Sequence, residues 1–352
     1  MVDIFVVLLP GLILGIIFGI ILQRGRFCMN SAFRDILVLK EFSLIKAVII
    51  AILVSMLGFA IMAFAGIINL SPKPFAPVAN IVGGFIFGLG MTLAAGCASG
   101  TTYRVGEGMM GSFVALLGYS IGAFVTKSGA WAEVKTFLQT YKISEEGTGA
   151  NLTVFGSGLT PTLMLIIGIA GIAVVFFFWI LPMLKKRKAS DSKMFDFSNM
   201  GNKIFKKGWS WSITGLLIGI LACFAYVSSA AAGRNYPLGI TGGWANWLKY
   251  WTTGADSALT WEVFLVVGVV IGAFISSMIA GEFKLRVPKD GKRIVIQFIG
   301  GLAMGFGAVV AMGCNIGNTL SGIPLLSVGS IVTTVFIILG SWFLAYFLFM
   351  RK

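Results

Sequence analysis

Two similar stretches decide the fold of this chain: "AGCASGTTYRV" at residues 95–105 and "MGCNIGNTLSG" at residues 312–322. Each places a Gly-Cys pair inside a long apolar run, followed three residues later by Gly and two residues after that by Thr. In a hydrocarbon environment, irregular backbone is tolerated only where it is buried in protein or lines a cavity. Each stretch therefore predicts an interrupted membrane segment whose irregular backbone is buried in protein or lines a cavity.

The composition places the chain in the membrane. It has 352 residues, of which 57% are hydrophobic and 11% charged, whereas soluble domains carry about 25% charged residues. These values predict an all-α polytopic membrane protein. The 27 Lys and Arg outnumber the 13 Asp and Glu, but they lie between apolar segments, which indicates topology, membrane lipid and an anionic substrate and not nucleic acid.

The rare residue types exclude several kinds of site. Histidine is absent, which excludes an imidazole proton relay and a His-ligated metal. The four cysteines are far apart and form no C-x-x-C pair, so neither a disulfide framework nor a zinc site is expected, and no cofactor is predicted. The first apolar run, 4–22, lacks a preceding basic region, which favours a retained helix over a cleaved signal.

The charge-free stretches predict about nine spans, at about 20 residues each. They are 4–23, 44–68, 81–96, 108–126, 161–181, 209–230, 259–281, 294–312 and 325–349. The basic segments 182–208 and 282–293 and the C-terminal Arg351-Lys352 are predicted to be cytoplasmic, because cytoplasmic loops are rich in Lys and Arg. The segments 127–160 and 231–258 are then external, with the N-terminus outside and the C-terminus inside.

The chain divides into two similar halves, 1–181 and 209–352, joined by the basic linker 182–208. At an offset of 217 residues (314 minus 97), Gly96, Cys97, Gly100 and Thr102 match Gly313, Cys314, Gly317 and Thr319. At an offset of 200 (215 minus 15), Gly15, Gly19 and Arg34 match Gly215, Gly219 and Arg234, which places Ser228 opposite Cys28. The single connecting span 161–181 would invert the second half. Inverted repeats with broken helices are typical of transporters.

The cysteine loops are the candidate substrate site. Their glycines permit sharp turns, and their side chains and N–H groups can donate hydrogen bonds to an anion. The candidate residues are Gly96, Cys97, Gly100, Thr102, Gly313, Cys314, Asn315, Gly317, Asn318 and Thr319. A buried thiol stays protonated and donates weakly, which suits an anion that must also be released.

The remaining motifs have simpler interpretations. The G-x-x-x-G steps at Gly15/Gly19 and Gly215/Gly219 are expected to serve helix packing, and Cys223 is expected to be a small apolar residue. Cys28, in "QRGRFCMNSAFRD", lies among three arginines, and on these grounds a structural and a functional role stay equally open. Glu107 is expected in a solvated turn.

Three motifs together resemble the YeeE/YedE family of thiosulfate transporters: "GRFCMNSAFRD" (25–35), "AAGCASGTTYRVGEG" (94–108) and "MGCNIGNTLSGI" (312–323). The resemblance implies an inner-membrane protein of about nine spans with re-entrant elements. It also implies that thiosulfate passes along the thiols of Cys28, Cys97 and Cys314. A cytoplasmic sulfur-carrier or sulfurtransferase partner is implied as well.

Two other functions stay open. The same fold could carry another sulfur oxyanion or a selenium-containing one. A membrane thiol–disulfide oxidoreductase would need cysteines that reach each other, for instance Cys97 and Cys314, and the lack of a C-x-x-C pair counts against it. The leading prediction is a non-enzymatic thiosulfate importer.

Overall fold

The computed structural model describes residues 2–143, 152–154, 156, 160–182 and 207–351, so most of the basic linker and part of the segment 127–160 lie outside the described residues. The helices are α1 Val2–Arg24, α2 Met29–Val38, α3 Ser43–Phe64, α4 Pro77–Leu93, α5 Ala98–Gly106, α6 Met110–Ser128, α7 Ala132–Leu138, α8 Thr160–Val175, α9 Trp211–Ala231, α10 Thr241–Thr253, α11 Trp261–Ile279, α12 Gly291–Val310 and α13 Val328–Ala345. Short π-helical turns extend α8 and α13 and follow Cys314 at Ile316–Leu320. Within the described ranges, nine segments are long and apolar enough to cross a membrane, which confirms the prediction of an all-α polytopic membrane protein.

The core is formed by helix pairs in which each half of the chain contributes one helix. α1 packs against α11 and α3 against α9, while α12 packs against both α4 and α6 and α4 also packs against α13. The close approach depends on glycine: a Cβ added at Gly15 would fall on the Leu265 carbonyl, and one added at Gly215 on the Ala47 carbonyl. The packing role predicted for the G-x-x-x-G steps is thereby confirmed.

Helices that match in sequence run in opposite directions. α1 ends where α9 begins, since the Trp209 N–H donates to the Arg24 carbonyl at 2.9 Å. α4 and α12 cross antiparallel, with Gly83 against Gly307 and Gly90 against Gly300. The inverted relation of the two whole halves stays a prediction, which these antiparallel pairs support.

One end of the molecule, here called the basic face, gathers the ends of α1, α5 and α11. The buried Arg24 pairs with Glu282 at 2.5 Å, and the Gln23 amide donates to Glu282 at 2.9 Å and to Glu107 at 3.1 Å. Glu107 is half-buried in this network, and burial raises the pKa of its carboxyl. It is therefore less solvated than expected, because three helix ends converge on it.

Ser228 does not occupy the place expected for it. It lies inside α9 and accepts a hydrogen bond from the Trp261 indole at 2.9 Å. The glycine match at an offset of 200 holds, but α9 reaches its C-cap, Ala232, 17 residues after Gly215, whereas α1 reaches Gly25 only 10 residues after Gly15. This difference of seven residues is about two helical turns. The glycines of α1 and α9 therefore still match, but α9 continues for about two turns beyond the position at which α1 ends. Asn235, and not Ser228, follows the helix end as Cys28 does.

Candidate functional site

The same backbone turn precedes all three candidate cysteines. α1, α4 and α12 each end on a residue with positive φ, namely Arg26 (46°), Ala95 (57°) and Met312 (58°). In each case the next N–H reaches back five residues to a helical carbonyl: Phe27 to Leu22 at 2.9 Å, Gly96 to Met91 at 3.1 Å and Gly313 to Ala308 at 2.7 Å. This is a Schellman helix end. It ends the helix, so the chain changes direction inside the protein at the next residue, which is the cysteine.

Cys28 and Cys97 form a pair of buried thiols. Their Sγ atoms lie 3.7 Å apart, and each residue is the N-cap of a short helix, α2 for Cys28 and α5 for Cys97. The Gly100 N–H donates to Cys97 Sγ at 3.3 Å. A Cβ at Gly100 would lie 2.7 Å from Cys28 Sγ, so the glycine makes room for the second thiol. Two positive helix ends therefore converge on this pair.

Cys314 is joined to the other cysteine loop by side chains of other helices. Its N–H donates to Thr241 Oγ1 at 3.2 Å, and Thr241 Oγ1 also shares a hydrogen bond with the Tyr119 hydroxyl at 2.8 Å. Three residues further along α10, the Trp244 indole donates to Thr102 at 3.0 Å. α10 thus spans the two loops and holds them in a fixed relation.

Lys73 lies over the second cysteine loop, on the end of the molecule opposite the basic face. Its Nζ donates to Asn318 Oδ1 at 3.3 Å and lies 5.0 Å from the centre of the Tyr236 ring. None of the ion pairs found in the described ranges involves Lys73. Burial lowers the pKa of Lys73 to about 7. A half-buried cation without a carboxylate partner is a suitable first contact for an anion.

The other predicted residues of this loop are hydrogen-bonded into the fold. The Gly317 carbonyl accepts from the Tyr236 hydroxyl at 2.7 Å, Thr319 shares a hydrogen bond with Thr334 at 3.0 Å, and Asn318 Nδ2 donates to the Gly313 carbonyl at 2.6 Å. Asn315 differs, because its Nδ2 is buried and has no partner among the described residues. An unpaired buried donor costs about 1–3 kcal/mol, so this amide is available to a substrate.

A basic cavity of about 730 Å³ opens at the basic face, next to the thiol pair. Its wall contains Ala95 and Tyr103 from the first cysteine loop and α5. Its cationic residues are Arg26, Arg34, Arg104, Lys284, Arg286 and Arg293. Arg104 is held in place by donating to the Ala95 carbonyl at 2.6 Å. The cavity therefore offers positive charge at the end of the molecule opposite Lys73.

Sequence reasoning missed Lys73, Tyr119, Thr241 and Trp244. Lys73 had a signal, since it interrupts an apolar region in "SPKPFAP" (71–77), and Thr241 lies in the Gly-rich "GITGGW" (239–244). Tyr119 had none, because it is one aromatic residue in an apolar helix. No group of side chains able to hold a metal ion occurs in the described part of the chain.

Comparisons with known proteins identify the relatives of this chain. It is 40% identical to the thiosulfate transporter TsuA of Spirochaeta thermophila over 97% of this chain and 99% of that protein. It is 34% identical to the thiosulfate transporter TsuA of Escherichia coli over 99% and 96%. The probable transporter YedE of Escherichia coli matches 33% of this chain at 34% identity and 28% of its own length. These relatives confirm the family resemblance read from the three cysteine motifs. The family described as sulphur transport matches residues 24–343, and the chain belongs to that family.

Proposed function

We propose that this protein imports thiosulfate across a bacterial inner membrane along the thiols of Cys314, Cys97 and Cys28. The observation that carries the proposal is the buried pair of Cys28 and Cys97, whose sulfur atoms lie 3.7 Å apart at two helix N-termini. A sulfur anion passing Cys97 meets Cys28 within contact distance. The thiosulfate transporters that match nearly the whole chain support the choice of substrate.

The chemistry of the site suits binding followed by release. Desolvating a dianion is expensive, and the positive ends of α2 and α5 offset part of that cost. A thiol is only a weak donor, so it holds the anion less tightly than a buried lysine would. Several weak sites in a row favour conduction over trapping.

In the proposal, the positively charged residues at the two ends of the pathway set the direction of transport. Lys73 meets the anion at the outer end, Cys314 receives it beneath Lys73, and the basic cavity takes it after Cys28. With the basic face in the cytoplasm, as its Lys and Arg content favours, the N-terminus is outside and the C-terminus inside. Glu107 and Glu282 also line the basic cavity, where six Lys and Arg residues outnumber them.

Thiosulfate uptake by the purified protein in liposomes tests the proposal. We expect replacement of Cys28, Cys97 or Cys314 by Ala to lower uptake at least about fivefold, because each removes a donor worth about 1 kcal/mol or more. The matched control is Cys223→Ala, since that thiol is half-buried in α9 and donates only to the Gly219 carbonyl. Full uptake by all three single variants would refute the cysteine pathway.

Competition with labelled thiosulfate identifies the cargo. We expect unlabelled thiosulfate to compete fully and sulfate to compete poorly, because sulfate has no outer sulfur to meet the thiols. Stronger competition by selenosulfate or selenite than by thiosulfate would transfer the proposal to a selenium anion while leaving the pathway in place.

A further inference from the structure

An apolar groove of about 310 Å³ lies on the outer surface of the helix bundle between α3, α8 and α9. Its wall consists almost entirely of aliphatic side chains, including Ile50 and Val54 of α3, Ile172 and Val175 of α8, and Ile213 and Leu216 of α9. Ile213 and Leu216 are exposed on the outside of the bundle. In a membrane, this groove faces lipid acyl chains.

A cation lies at the end of the groove nearest the basic face. Lys46 precedes Ile50 by one helical turn, so the two side chains share one side of α3. The Lys46 Nζ lies 5.5 Å from the centre of the Trp179 ring and 5.6 Å from that of Trp211. The two indoles meet edge to face at 6.1 Å, and each is the chain neighbour of a residue that lines the groove.

The Lys46 charge has no carboxylate partner in the ranges that the structure describes. The indole faces attract the ammonium but leave its positive charge uncompensated. Tryptophan and lysine at the end of a membrane helix mark the level of the lipid headgroups. The site therefore combines a headgroup-level cation with an adjoining apolar channel for a chain.

We propose that Lys46, Trp179, Trp211 and the groove bind one anionic phospholipid. The lipid phosphate contacts the Lys46 ammonium, and one acyl chain lies in the groove between α8 and the α3–α9 pair. A net negative headgroup is preferred over a zwitterionic one, because a choline or ethanolamine cation would approach Lys46 with like charge. The lipid joins the connecting helix α8 to the rest of the bundle.

Native mass spectrometry of the purified protein with added phosphatidylglycerol or phosphatidylcholine of identical chains tests this site. We expect the wild-type protein to retain phosphatidylglycerol about fivefold better than phosphatidylcholine. This is the preference expected from one lysine near an anionic lipid surface. Lys46→Gln is expected to abolish that preference and Lys46→Arg to keep it. Lys292→Gln, which removes an exposed lysine of the same face, is expected to leave the preference intact.

A second variant tests the groove separately from the charge. Ile213→Trp places a larger side chain in the groove, and we expect it to lower retention of both lipids by a similar factor while the headgroup preference persists. Equal binding of the two lipids by wild type would overturn the proposal. So would a preference that survives Lys46→Gln, or lipid retention that is unchanged in Ile213→Trp.

Discussion

At the residue scale, the proposed pathway predicts that anion entry at Lys73 depends on pH. Its pKa is lowered to about 7 by burial, so the positive charge is present below that pH and is lost as the pH rises through it. Thiosulfate keeps its two charges over this range. We expect the apparent dissociation constant for thiosulfate to rise by up to about tenfold between about pH 6 and about pH 8, as measured by binding to the purified protein.

The control for this prediction is Lys73→Arg. Arginine keeps its charge throughout, so affinity should become nearly independent of pH. The groups that face Lys73 are Arg234, Glu262, Cys314 and Tyr236. A pH dependence that persists in Lys73→Arg would assign the titration to one of these neighbours.

Gly100 provides the second residue-scale prediction. A methyl group at this position would press on Cys28 Sγ, and also on Cys97 Sγ at 3.1 Å, so Gly100→Ala should separate the two thiols. We expect uptake by Gly100→Ala in liposomes to fall at least about tenfold, a loss of about 1.4 kcal/mol. Gly291→Ala is the matched control, because no atom lies within 4 Å of the added methyl there. Equal uptake by both variants would contradict the tight thiol pair.

At the element scale, the strained helix ends allow a test by stability. Ala95 and Met312 hold positive φ, which costs an L-residue about 1 kcal/mol or more relative to glycine. We therefore expect Ala95→Gly to stabilise the protein by about 0.5–1 kcal/mol and to raise its melting temperature in detergent. Ala94, one residue earlier, has an ordinary helical φ of −69°. Ala94→Gly should lower the melting temperature, and a drop in both variants would argue against the turn.

The elements show what sequence patterns could and could not predict. Hydropathy located the nine long apolar segments found in the described part of the chain, because each span is a continuous apolar run. α10 was missed: its 13 residues are too few to cross a membrane, and "TGGWANWLKYW" (241–251) mixes glycine, aromatic and polar residues. Its contacts with Thr102 and Cys314 join residues that are distant in the sequence, so no local sequence pattern predicts them. The repeat revealed the two loops, but the distance between Cys28 and Cys97 depends on packing between helices distant in the sequence.

At the scale of the whole molecule, the two ends of the proposed pathway, Lys73 and the basic cavity, must open on opposite sides of the membrane. α11 separates Asp256 from Lys289 by one helix of 19 residues, about 28 Å long at 1.5 Å per residue. Asp256 and Lys289 are both exposed. Because the segment 282–293 is rich in Lys and Arg, we expect Lys289 in the cytoplasm and Asp256 outside, as the positive-inside rule predicts.

Cysteine labelling with a membrane-impermeant maleimide tests this arrangement. Cys28, Cys97 and Cys314 are buried, so Cys223→Ser gives a background of low reactivity. In intact spheroplasts we expect Asp256→Cys to be labelled and Lys289→Cys to be labelled only after the membrane is opened. The opposite pattern would reverse the proposed direction of entry and make Lys73 the exit. Labelling of both positions in intact spheroplasts would mean that α11 does not cross the membrane, which would remove the inverted arrangement on which a pathway between Lys73 and the basic cavity depends.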